Sequence, residues 1–112
     1  MNGDASWQTK FILEIDAARQ ARQAGNEGRA RVCARRAVGI AIREYLIKTG
    51  ADFSSPSSLE AIQVFCSLPD LPKKWINIAE HFLQHIKPDN TLPSDADLIE
   101  EAIDFRQDLL GN

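Results

Sequence analysis

The chain has 112 residues, of which 44% are hydrophobic and 26% charged, and a net charge of −3. That length can bury one core without metal or disulfide, and the balance excludes wholesale disorder, so a single domain over residues 1–112 is expected. Nowhere is there a run near the roughly 20 apolar residues of a membrane span, and Met1 to Ser6 show neither a basic nor an apolar leader segment; the reading is a cytoplasmic protein with no membrane partner.

Apolar residues recur at spacings of three and four, with no strand-type alternation, which predicts an all-α protein. A first helix from about Asp4 to Ala24 carries Trp7, Phe11, Ile15 and Ala18 on one stripe, and Gly25-Asn26-Glu27-Gly28 ends it in a short turn. The second helix, about Arg29 to Lys48, must then fold back as an antiparallel hairpin. It is too apolar for a surface and too rich in arginine for ordinary core, so it reads as a central helix with basic edges. Ala30, Ala34, Ala37 and Ala41 form a small-residue stripe, and Gly39 sits mid-helix at a cost of about 1 kcal/mol relative to alanine, for which close backbone approach is the compensation.

Thr49-Gly50 ends that helix, and after a loop over residues 51–55 a shorter third helix runs from about Pro56 to Ser67, with serines available to cap it. Asp70 is placed to cap a fourth, with Trp75, Ala79, Phe82 and Ile86 on its buried stripe. Ser94 and Asp97 resemble a capping box for a fifth, in which Leu98, Ala102, Phe105 and Leu109 repeat before Gly111. The architecture expected is an up-and-down bundle of four long helices and one short one.

Charge is segregated: residues 19–51 carry eight basic and two acidic side chains, whereas residues 52–112 carry four and eleven. A basic hairpin in an acidic protein either serves an anionic ligand or pairs with its own acidic half. Arg29, Arg36 and Arg43 repeat every seven residues along one edge of the second helix, with Arg31 and Arg35 beside them. Arg22 returns to the turn end of the hairpin from the facing helix. An anion or nucleotide site centred on Arg29, Arg35 and Arg36, with Arg22 contributing, is the functional candidate; salt bridges to Glu100, Glu101, Asp104 and Asp108 are the alternative. Trp75 and Phe53 could stack on bases beside Lys73 and Lys74, although Trp75 has the spacing of a core residue.

Conventional chemistry is thinly represented. Cys33 and Cys66 have no ligand spacing and read as reduced and buried, and neither GxxxxGK[ST] nor GxGxxG occurs, so no cofactor is assigned. His81 and His85 share a helical face, but Phe82 stands where a metalloprotease has glutamate and no third ligand is evident, so no metal is assigned.

The second-helix run Ala34-Arg35-Arg36-Ala37-Val38-Gly39-Ile40-Ala41-Ile42, closing with Tyr45-Leu46-Ile47-Lys48, resembles that of HEPN domains, a family related to substrate-binding subunits of nucleotidyltransferases. The alanine-rich first helix and the Gly-Asn turn extend the likeness over nearly the whole chain. The resemblance implies an all-α bundle, frequent homodimers, and nucleotide or RNA handling beside a nucleotidyltransferase or within toxin–antitoxin pairs. Ribonuclease members carry an arginine followed four to six residues later by histidine. Here the nearest arginine before His81 is Arg43, and Lys74 lacks arginine's planar fork of donors. The expectation is therefore a non-catalytic bundle that binds a nucleotide or RNA phosphate, or a nucleic-acid-handling protein. A pure assembly module with structural arginines is the alternative.

Overall fold

In a computed structural model residues 6–51, 53–83 and 97–111 are described. They form five helices, α1 (Trp7–Gln23), α2 (Glu27–Lys48), α3 (Ser58–Cys66), α4 (Lys73–His81) and α5 (Leu98–Leu110), and no strand. The all-α expectation is met. The lengths depart from four long helices and one short: α3 and α4 have nine residues each and α5 has 13.

Helix boundaries follow from local hydrogen-bonding needs. The first backbone N–H groups of a helix lack intrahelical partners, and side-chain oxygens supply them. Ser6 Oγ accepts from the Thr9 N–H at 3.2 Å, Asn26 Oδ1 from Arg29 at 3.0 Å and Ser57 Oγ from Glu60 at 3.1 Å. Asp97 Oδ1 accepts from both Ile99 and Glu100, so the carboxylate half of the expected capping box does cap α5; Ser94 lies outside the described residues. Gly25, at φ +81°, makes the left-handed turn that lets α2 start with only three residues between it and α1.

The cap expected at Asp70 is not made. Asp70 adopts φ +64°, and the cap position of α4 belongs to Pro72, which forms no side-chain bond to the helix. A proline disfavours helical backbone in the residue before it, so Leu71 stays out of the helix and the start moves past Asp70. The helix then ends at His81 with Phe82 as its cap, short of the expected Ile86, which lies outside the described residues along with His85.

Cross-helix contacts give the directions of the chain. Arg22 near the end of α1 meets Glu27 at the start of α2, and Lys48 at the end of α2 lies 6.0 Å from the Trp7 ring at the start of α1, so the two are antiparallel. Arg22 also meets Asp97, and Arg106 lies 5.4 Å from the Trp7 ring, so α5 is antiparallel to α1 and runs in the same sense as α2. After α2 the chain comes back to place Ser58 at Gly39 and Phe65 at Tyr45; α3 therefore also starts in the sense of α2. The regular alternation of an up-and-down bundle is broken at this return, because α3 starts beside the middle of α2 and runs in the same sense.

The α2 helix is the hub, packed by α1, α3 and α5. Its Ala34, Ala37, Val38, Ala41, Ile42 and Leu46 are fully enclosed, and α1 is its most extensively packed neighbour. Tyr45, Phe65, Trp75 and Phe105 form an edge-to-face chain that joins α2, α3, α4 and α5, with centroid separations of 5.6 to 5.8 Å. Trp75 therefore belongs to the core rather than to a base-stacking surface. Each large side chain so enclosed contributes roughly 1.5–3 kcal/mol, against about 0–1 kcal/mol for an exposed ion pair, so apolar packing around α2 dominates stability. Cys33 is buried as expected. Cys66 is only half-buried, a correction that follows from its place at the last turn of the short α3.

Candidate functional site

Along the outer edge of α2 the return segment and α3 leave a groove of about 390 Å³. Arg35, Arg36 and Arg43 line it from α2, Ser57 and Ser58 from the start of α3, and Glu14 from α1. A second groove of about 380 Å³ continues it, sharing Ile40 and Arg43 and adding Lys10, Glu44, Trp7 and Phe53. Four basic and two acidic side chains thus line the pair. The local causes are plain. Arg36 and Arg43 fall on one face because seven residues make almost two helical turns. The serines reach that face because Gly39, lacking a Cβ, lets Ser58 approach α2.

The expected arginines divide into two groups. Arg22 is engaged: its Nε and Nη2 donate to the Glu27 carboxylate at 3.2 and 2.8 Å, and its Nη1 donates to Asp97 at 3.1 Å. The Arg22 hydrogen bonds hold the Glu27 carboxyl below its ordinary range against the opposing effect of burial, with the buried Arg31 adding to the same direction. At Asp97 burial raises the carboxyl, but Arg22 and the backbone N–H groups of Glu100 and Ile99 together outweigh it, and the net shift is downward. Arg19 pairs more loosely with Glu100 at 3.9 Å. By contrast, among the described residues Arg29, Arg35, Arg36 and Arg43 form no ion pair. Arg35 and Arg36 share the groove, whereas Arg22 and Arg29 do not line it; Arg29 is exposed at the first turn of α2.

The acidic half supplies the remaining pairs. Lys74 meets Asp108 at 2.9 Å, and His81 Nδ1 lies 2.6 Å from Glu101 Oε1, tying α4 to α5. Among the described residues no three His, Cys, Asp or Glu side chains are grouped to hold a metal ion, and no helix is long and apolar enough to cross a membrane. Burial, with a smaller effect of Glu80, pushes the Cys66 thiol up, which disfavours the thiolate.

Lys10, Glu14, Ser57 and Ser58 are lining residues that the sequence did not single out as site residues, since helical spacing within one element says nothing of what a neighbouring element brings. The seven-residue arginine repeat pointed to Arg43, and Phe53, named for base stacking, reaches the groove from the loop that follows α2. No family model, no curated protein and no solved structure matches the chain.

Proposed function

We propose that this protein is a non-catalytic helical bundle of HEPN type that binds the phosphate of a nucleotide or RNA through the arginine edge of α2. The observation that carries the reading is that Arg35, Arg36 and Arg43 line one groove with no carboxylate partner among the described residues. Guanidinium groups present planar donors suited to phosphate oxygens, and the adjoining serine hydroxyls add donors of the same use. The exposed Ile12 and Leu13 on α1 support a homodimer as part of the same proposal, to be checked by light scattering at tens of micromolar. A nucleotidyltransferase or an antitoxin-type protein is the partner class that the HEPN resemblance suggests.

The rival is an assembly module with structural arginines, and the engagement of Arg19 and Arg22 by Glu100, Glu27 and Asp97 favours it at one end of the hairpin. Anisotropy of a labelled RNA over a salt series separates the two. Phosphate binding releases counterions, so affinity falls steeply with salt, and the Arg35→Ala, Arg36→Ala double variant loses most of it while remaining folded. Absence of binding at low salt, with dissociation or unfolding of the double variant, selects the assembly module. RNA cleavage by the pure protein, abolished by His81→Ala, selects an enzyme instead.

A further inference from the structure

The two grooves differ in what they offer. Arg35, Arg36 and the serines of α3 line the first, whose wall has no aromatic side chain; Phe53 and Trp7 line only the second. Arg36 and Arg43 lie about 10 Å apart along the α2 axis, whereas successive phosphates of one stacked strand advance by about 3.4 Å along the axis of that strand. A nucleoside monophosphate reaches one of these arginines, and a strand of three or four nucleotides spans both. Phe53 is half-buried and packs against the core, and among the described residues no ring or cation stacks on it. Trp7, by comparison, already has Arg106 and Lys48 against its ring.

We infer that the double groove takes a single-stranded nucleic acid of at least three nucleotides, its phosphates along Arg36 and Arg43 and one base stacked on Phe53. The inference rests on the phosphate-binding reading and adds the form and length of the strand. A duplex presents phosphates to the arginines but keeps its bases stacked on one another, leaving Phe53 unused. Stacking accepts any base face, so the site discriminates strand form and not sequence.

The test uses labelled hexanucleotides at low salt: a single strand as RNA and as DNA, an abasic strand of equal charge, and a duplex cross-linked so that it stays paired. In RNA or DNA form the single strand is expected to bind about tenfold more tightly than the abasic strand and the duplex. Phe53→Leu, which keeps apolar packing but removes the ring, is expected to erase that difference and to leave salt-sensitive binding. Equal affinity for all strands on the unaltered protein, or equal competition by a nucleoside monophosphate, overturns the inference and leaves phosphate binding standing. No salt-sensitive binding of any strand removes both. The strand comparison needs no variant, so it decides even where Phe53→Leu fails to fold.

Discussion

A Cβ placed on Gly39 would lie 2.6 Å from both Cβ and Oγ of Ser58 and 2.8 Å from its Cα. Two helices cross at these two residues, and the start of α3, with its cap Ser57, is seated on α2 only because one of them has no side chain. The same approach brings Ser57 and Ser58 into the lining of the groove that holds Arg35 and Arg36.

Gly39→Ala is expected to destabilise the protein by about 1–3 kcal/mol, the usual cost of overpacking, even though alanine is the better helix former. A lowered thermal midpoint with weaker RNA binding is the expected result. Ser58→Ala in the same background is expected not to restore stability, because the clashing Cβ and Cα remain; a full recovery would locate the strain elsewhere.

Arg22 and the pair Arg35 and Arg36 are expected to separate cleanly on mutation. Arg22→Ala removes a bidentate bond to Glu27 and a bond to Asp97, on a side chain more than a third exposed, so a loss of about 1 kcal/mol is expected, read from urea midpoints, with RNA affinity nearly unchanged. Arg36→Ala is expected to do the reverse, reducing the slope of log affinity against log salt by about 0.7 for each phosphate that the arginine neutralises. A larger fall in affinity from Arg22→Ala than from Arg36→Ala would place the anion site at the turn.

The Arg22 cluster also predicts acid sensitivity. Glu27 and Asp97 have folded values below their ordinary ones, so their contribution is complete above the ordinary carboxylate range, about pH 4, and is lost as pH falls through the lowered folded values. The stability difference between the parent protein and Arg22→Ala is therefore expected to be largest near pH 6 and to shrink by pH 3. A difference that grows toward acid would assign the shift the wrong sign.

Trp75 provides a check on the core. It joins α4 to Tyr45 of α2 and Phe65 of α3, and Trp75→Ala is expected to cost about 3 kcal/mol, the low end for a large aromatic because its ring is only half-buried. Trp75→Phe is expected to retain most of that and to leave RNA binding unaltered. Loss of binding in a folded Trp75→Phe protein would return this residue to the ligand surface.

What could be read before folding was whatever repeats locally. The Ala30, Ala34, Ala37, Ala41 stripe marked α2 as central, and Gly39 announced a close neighbour, because helical spacing alone puts those residues on shared faces. Which side chain meets Gly39 depends on the path of residues 49–57, and that path has no period. Arg22 illustrates the same boundary: its i+5 partner Glu27 is near in sequence, but Asp97 is 75 residues away and enters only through the docking of α5. The arginines expected together at the turn end accordingly divide into Arg22, bound by carboxylates there, and Arg35 and Arg36, which line a groove farther along α2.

The peripheral place of α4 bears on how the molecule breathes. This helix packs chiefly on α3 and α5 and touches α2 through the Trp75 contact with Tyr45, while the grooves are lined by α1, α2, the segment that follows α2 and the start of α3. Local opening begins where enclosed apolar contact is sparsest, so amide protons of α4 should exchange with solvent well before those of α2. The arginine edge thus sits on the slowest-exchanging helix, and its spacing persists through excursions that undo α4.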